Sequence, residues 1–163
     1  MARFIQPARL PGSNAAAFPV RRGKYKTAET WTKGALLVLD ANGELTECGA
    51  DPTLVSGVAL EEPGKGPGFE IAGGVTQVTG RDQEVSYVPA DDRVIYSMRA
   101  VNGGTDPVTP TQTHIGESYG ALADANGVWT LDIAETTTLV FTIVDIDIDN
   151  KIFFCKFHST ALS

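Results

Sequence analysis

The hydrophobic positions of this chain come in short runs broken by Gly, Pro, Asn and Asp, and no segment sustains the i, i+3, i+4, i+7 spacing of an amphipathic helix. Such a pattern predicts strands. Residues 33–62 set the type: an aliphatic run over 35–39, the pair Asn42-Gly43, a return over 45–48, a Gly-Ala-Asp-Pro break at 49–52 and a third run over 54–60. Asn-Gly is favoured in the type I′ turn, where both central residues take φ > 0. A two-residue loop there sets Leu37 opposite Cys48 and Leu39 opposite Thr46. Gly57, inside the third run, suits a place where another backbone passes closely.

Further along, 62–68 reads as a loop, 69–79 as a strand interrupted at Gly73-Gly74, 80–83 as a turn, 84–88 as a strand, 89–92 as a turn and 93–101 as a longer strand. The stretch 102–112 is the longest structureless one outside the N-terminal leader, and loops of that length often carry function. A second hairpin follows, in which Asp124-Ala125-Asn126-Gly127 copies Asp40-Ala41-Asn42-Gly43; a type I′ turn there opposes Leu122 to Leu131. In the last hairpin, 139–144 is apolar on both faces apart from Thr142, and then Asp145, Asp147 and Asp149 alternate with Ile146 and Ile148. A turn at Asp149-Asn150 pairs Ile146 with Phe153, Val144 with Cys155 and Thr142 with Phe157 on one apolar face. The opposite face pairs Asp147 with Ile152, Asp145 with Phe154 and Ile143 with Lys156. Ile152 and Phe154 then sit beside carboxylates at a surface, the composition of an interface rim.

About ten short antiparallel strands at this spacing predict an all-β fold, a small β-barrel or β-sandwich whose architecture hides its strand edges. Residues 1–32 read as an extended basic arm and 33–163 as the body. The length of 163 residues suits one domain, or one domain plus an arm, and 42% hydrophobic content with 17 Gly and 9 Pro fits a turn-rich folded chain. No apolar run approaches membrane-spanning length, which predicts a soluble protein without a membrane partner. The start, with Pro7 and Pro11 and no continuous apolar core, does not read as a secretory signal.

Charge divides the chain unevenly. Residues 1–33 hold seven basic groups against one acidic, net +6, whereas 34–163 hold six basic and nineteen acidic, net −13, giving −7 overall. A basic leader on an acidic body predicts that Arg3, Arg9, Arg21, Arg22, Lys24 and Lys26 clamp something negative. Nucleic acid fits poorly, because the body would be repelled by phosphate and the leader has few aromatics besides Phe4, Phe18 and Tyr25. An acidic protein surface, including a neighbouring subunit, fits better; a solvated leader is the plain alternative. Cys48 and Cys155 lie outside any Cys-x-x-Cys pair and fall on inward faces, so buried thiols are expected.

Three chemistries can be weighed. Gly116-Glu117-Ser118-Tyr119-Gly120 matches the G-x-S-x-G elbow, with Asp132 or Asp145 and then His158 in the right order, but the elbow joins a strand to a helix in a parallel α/β sheet and this serine enters a hairpin. Asp145, Asp147 and Asp149 imitate the start of a calcium loop, yet the sixth position is Asn150 and the twelfth Lys156. His114 and His158 have no partner at metal or triad spacing. The expectation is therefore a non-enzyme without cofactor or metal.

Residues 33–62, with their Lys-Gly, aliphatic strand, turn, short strand and Gly-Val-Ala strand, resemble a segment near the start of the head decoration (cement) proteins of tailed bacteriophages. The resemblance implies a structural virion protein, made in the host cytoplasm, that adds to the outer surface of an assembled capsid. It would clamp neighbouring major capsid subunits, often as a homotrimer and sometimes as a dimer, with no catalytic residues to carry over. The arm would reach a neighbour, while Ile152 and Phe154, or the 102–112 loop with Asp106 and Thr109, would touch a partner. The alternative is a glycan- or receptor-binding domain of a tail tip or fibre, for which Trp31, Trp129, Tyr87, Tyr96 and Tyr119 are the available aromatics.

Overall fold

Two sheets share one hydrophobic core, and each sheet is curled enough that its ends approach one another. The architecture comes from a computed structural model, which describes residues 5–9, 19–64 and 83–162. Its strands are β1 (Gln6–Arg9), β2 (Arg21–Lys24), β3 (Leu36–Leu39), β4 (Leu45–Glu47), β5 (Gly57–Ala59), β6 (Glu84–Pro89), β7 (Ile95–Met98), β8 (Ala100–Val101), β9 (Ser118–Ala123), β10 (Trp129–Asp132), β11 (Phe141–Asp147) and β12 (Ile152–Phe157). The only helical segments among the described residues are 3-10 turns at Gln112–His114 and Ser159–Ala161, and no helix there is long and apolar enough to cross a membrane. The fold is all-β, as the strand pattern predicts. The expected strand over 69–79 lies outside the described residues.

One sheet has the order β1-β7-β12-β11-β9-β10-β8, the other β2-β6-β5-β3-β4. The arrangement is sandwich-like rather than one closed barrel. β7 and β8, far apart in the first sheet's order, are successive parts of one extended stretch divided at Arg99. In the second sheet, a single bridge from Tyr25 to Leu45 joins the end of β2 to β4. The pairs are antiparallel except β8 with β10, which run parallel and correct the expectation of a purely antiparallel fold. The stretch read as an arm contributes β1 to one sheet and β2 to the other. Ile5, Tyr25 and Trp31 belong to the core.

Both Asp-Ala-Asn-Gly turns adopt the same shape, and it is not type I′. Asp40 Oδ1 accepts from the Asn42 and Glu44 N–H groups at 2.8 and 3.0 Å, and Asp124 Oδ1 accepts from Asn126 and Val128 at 2.8 and 2.9 Å. Only the glycine is left-handed, with φ 74° at Gly43 and 73° at Gly127. This is a three-residue loop closed by a glycine in the αL region. The aspartate thus captures two backbone donors and lengthens the loop by one residue. Register shifts by one accordingly: Leu37 faces Glu47, not Cys48, and Leu131 faces Ala121, not Leu122. The backbone hydrogen bonds, that from Glu44 first for Asp40 and that from Val128 first for Asp124, hold both carboxyls below their ordinary range.

The last hairpin keeps the predicted register near its turn, with Asp147 opposite Ile152, Ile146 opposite Phe153 and Asp145 opposite Phe154. A bulge at Val144 then inserts one residue, so that Ile143 faces Cys155 and Phe141 faces Phe157. The bulge moves Phe141 and Ile143 into the core, where Phe141 packs on Phe157 at 4.7 Å between ring centroids and Tyr96 meets Phe157 edge-on at 5.2 Å.

Hydrogen bonds of side chains and of backbone tie the sheets together. Trp129 Nε1 donates to Glu47 Oε1 at 2.8 Å, Thr32 Oγ1 donates to the Gly127 carbonyl at 2.8 Å, and Val55 N–H donates to the Ala161 carbonyl at 2.7 Å. No buried side-chain polar atom among the described residues lacks a partner.

Glu47 has a consequence for pH. Burial, and then the nearby Glu29 charge, push its carboxyl upward against the Trp129 hydrogen bond. A carboxyl raised in the folded state holds its proton where the unfolded chain has lost it, so its contribution to stability falls as pH rises from about 4 upward. The thermal midpoint of wild type relative to Glu47→Gln, which keeps an acceptor for Trp129, is expected to decline over that window. A difference independent of pH would show that the Glu47 environment is not the one described.

Candidate functional site

Apart from Arg3 and Arg9, the residues expected to touch partners fall in three places. The first is the basic strand. Arg21, Arg22, Lys24 and Lys26 are all exposed on or just after β2, whose residues pair with Tyr87 through Glu84 of β6. Gly23 is the inward residue, and a Cβ there would meet Leu45 Cδ1 at 2.7 Å. Two of the four bases already have partners within the chain: Arg22 Nε lies 3.4 Å from Glu84 Oε2 and Lys24 Nζ lies 2.5 Å from Glu44 Oε1. Exposed pairs of this kind contribute about 0–1 kcal/mol and are readily exchanged for an external carboxylate. Arg21 has no ion pair among the described residues. Arg9 ends β1, and Arg3 lies outside the described residues.

The second place is the 102–112 loop, which is more ordered than its composition suggests. Asn102 N–H donates to the Asp106 carbonyl at 3.0 Å, Val108 N–H to the Ala100 carbonyl at 2.9 Å, and Val101 bridges Pro107. The buried Asp132 anchors it from below, accepting from Gly103 N–H at 2.8 Å and Ala134 N–H at 3.0 Å. The loop therefore folds back over the β8 edge, with Asp106 and Thr109 exposed. Its final turn is capped by His114, whose Nδ1 accepts from Thr111 N–H at 3.0 Å.

The third place is the outer face of the seven-stranded sheet, where Ile152 and Phe154 are half-buried. Phe154 stands between Ser97 on β7 and Asp145 on β11, and Ile152 stands opposite Asp147. Tyr96 and Met98 point into the core, leaving Ser97 and the exposed Arg99 on this outer face. Arg99 is the functional candidate that the strand pattern alone did not single out. Its alternation with Tyr96 and Met98 was legible; that β7 would lie beside β12 was not.

These three places are not one site. The basic strand belongs to the second sheet, the loop to the β8 edge and the apolar stripe to the middle of the first sheet. The groups considered for chemistry are likewise apart in their bonding. Ser118 Oγ pairs with Thr142 Oγ1 at 2.8 Å, whereas His158 Nδ1 pairs with Thr160 Oγ1 at 2.7 Å. The serine lies at the start of antiparallel β9 rather than at a strand-to-helix elbow. Asp147 caps its own turn, accepting from Asn150 N–H at 3.0 Å and Asn150 Nδ2 at 2.8 Å. No group of three or more His, Cys, Asp or Glu among the described residues is placed to hold a metal ion. Cys48 and Cys155 are both buried and unbonded to each other. Burial pushes the Cys48 thiol up to about 12 and raises that of Cys155 as well, so neither is a thiolate at neutral pH.

Comparison with protein-family models finds no matching family, and comparison with curated proteins and with solved structures finds no significant match to any of them.

Proposed function

We propose that this chain is a structural virion protein of a tailed bacteriophage that binds the outer surface of the assembled capsid and stabilises it by clamping neighbouring major capsid subunits. It acts as an oligomer, a homotrimer or a dimer, and it converts no substrate. The observation that carries the reading is the row of exposed bases Arg21, Arg22, Lys24 and Lys26 fastened to a sheet strand of an otherwise acidic body. A fixed basic strip suits an acidic protein surface, and many weak contacts repeated by capsid symmetry sum to firm attachment. The segment 33–62 supports the same reading through its likeness to decoration proteins. The exposed Asp106 and Thr109 offer a second contact at the β8 edge.

The glycan-binding alternative loses its aromatics to the core. Trp31 and Trp129 are 4% and 2% exposed, Tyr87 and Tyr96 are buried, and Tyr119 alone of the five is partly open. Glycan sites usually expose rings that stack on sugar faces.

Truncating the leader is a poor test, because it would strip β1 and β2 from their sheets and Ile5 and Tyr25 from the core. Charge reversal is cleaner. Glutamate at positions 21, 22, 24 and 26 together is expected to leave the circular dichroism spectrum unchanged and to lower occupancy on purified capsids at least about tenfold. Undiminished occupancy would remove the strip from the mechanism. A native protein found in only a handful of copies per particle would overturn the capsid reading.

A further inference from the structure

β2 ends the five-stranded sheet, and the phase of its ladder decides which of its backbone groups stay unpaired. Tyr25 N–H donates to the Gln83 carbonyl at 2.7 Å, and Gly23 and Arg21 stand opposite Val85 and Tyr87. In an antiparallel ladder alternate residues turn their N–H and C=O toward the same neighbour. Arg21, Gly23 and Tyr25 therefore bond toward β6, while Arg22 and Lys24 turn the other way. Ser86, opposite Arg22, fits this phase: its carbonyl accepts from Leu60 N–H at 2.9 Å and its N–H donates to Glu61 Oε2 at 2.8 Å, both away from β2. Beyond Lys24 the edge is closed by the bridge from Tyr25 to Leu45, with Lys26 N–H on the Leu45 carbonyl at 3.0 Å. Before that bridge it is open: Arg22 N–H and C=O and Lys24 N–H have no backbone partner among the described residues. Gly23 faces inward, so Arg22 and Lys24 share the outer face, with the exposed Val20 next in the row.

We propose that this edge takes an extended acidic segment of a partner protein as an added antiparallel strand, hydrogen-bonded to Arg22 and Lys24 and carrying carboxylates at alternate positions over those two bases. Only an antiparallel partner meets both the N–H and the C=O of Arg22 with the two groups of one facing residue. The side chain of that residue lies on the same outer face, its Cβ about 5 Å from that of Arg22, and a second acid two residues away stands likewise over Lys24. Glu84 and Glu44 now hold these bases at 3.4 and 2.5 Å, in exposed pairs that an incoming carboxylate can share. Charge selects the occupant. The β2 of a second copy would set bases against bases, so the edge rejects its own kind and favours an acidic strand. The inference deepens the clamping reading and rests on it for the source of the acidic segment.

Nuclear magnetic resonance titration of the full chain with a peptide of about six residues, glutamate alternating with threonine, tests it. Binding is expected to saturate and to slow amide hydrogen exchange at Arg22 and Lys24 at least about tenfold, with little change at Gly23, whose N–H already bonds β6. Methylating the glutamate nitrogens of the peptide keeps its charge and removes the donors that face β2, so affinity should fall at least about tenfold. Methylating the threonine nitrogens, which point away, should change it less than about twofold. On the protein side, Arg22→Ala and Arg22→Pro both lose the guanidinium, and proline also removes the edge N–H at a position where a strand tolerates it; the proline variant should bind at least about threefold more weakly than the alanine one. A peptide that does not bind, equal affinities for the two methylated forms, unchanged exchange at Arg22 and Lys24, or equal binding by the two variants would each overturn strand addition, and the clamping reading would then stand or fall on capsid occupancy alone. Undiminished occupancy of the fourfold glutamate variant, with peptide binding to wild type as expected, would remove the clamp and keep the strand-accepting edge.

Discussion

Replacing Trp129 by alanine is expected to lower the free energy of unfolding by about 3–5 kcal/mol, the range found for truncating a large buried aromatic. The side chain is 2% exposed and sits in the common core of both sheets. Alanine would remove its contacts from β10 and leave a void too large for the surrounding side chains to close. It would also strip Glu47 of the indole N–H that now meets its carboxylate at 2.8 Å. That carboxylate lies close to Glu29, whose Oε2 accepts from the Glu47 backbone at 3.3 Å, so losing the donor worsens an unfavourable charge pair. Trp129→Phe keeps much of the volume but loses the hydrogen bond and part of the packing, and it should cost roughly half as much. Urea titration distinguishes the two: the midpoint should shift without a change in slope. A loss under about 1 kcal/mol for Trp129→Ala would mean that the indole does not join the sheets.

A comparable effect is expected at Gly57, although nothing there is removed. A Cβ at this position would overlap the Tyr87 ring and stand 2.6 Å from the Val88 carbonyl oxygen. The ring could turn only by leaving a buried place, and the carbonyl belongs to the β6 strand that pairs with β5 at Val58. Relief therefore requires the strands to part. Gly57→Val is expected to cost about 3 kcal/mol or more, the upper part of the range for overpacking. Gly49→Ala makes the control, because an added methyl there meets nothing within 4 Å. It should change stability by less than about 0.5 kcal/mol. Equal midpoints for the two variants in the same urea titration would refute the close approach of Tyr87 to β5.

The basic strand and the stripe on β12 were reached from the residues by different routes. Alternation after Asp145 was enough to put Ile152 and Phe154 beside carboxylates, and the pairs Asp147–Ile152 and Asp145–Phe154 stand as that alternation requires. The row of bases near the start was legible as charge. That Arg21 to Lys24 would form a sheet strand was not, because Arg-Arg-Gly-Lys has neither an apolar face nor β-branched residues. It is a strand because Gly23 lets Leu45 and Tyr87 pack against the backbone, and both come from distant parts of the chain.

What the amino-acid order determined by itself was the class of fold, the hairpins and the position of the turns, since these depend on local periodicity and on which residues tolerate a left-handed backbone. The identical loops at Asp40 and Asp124 show the limit of local reading even there: the glycine marked the turn, but the aspartate carboxylate's capture of two N–H groups set its length and the register beyond it. Tertiary structure decided the rest. It divided 95–101 between two neighbours at Arg99, placed the bulge at Val144 so that Phe141 could reach Phe157, and laid β7 beside β12 to bring Arg99 level with Ile152. Strand order is chosen by how whole faces bury against one another, and no run of neighbouring residues carries that information.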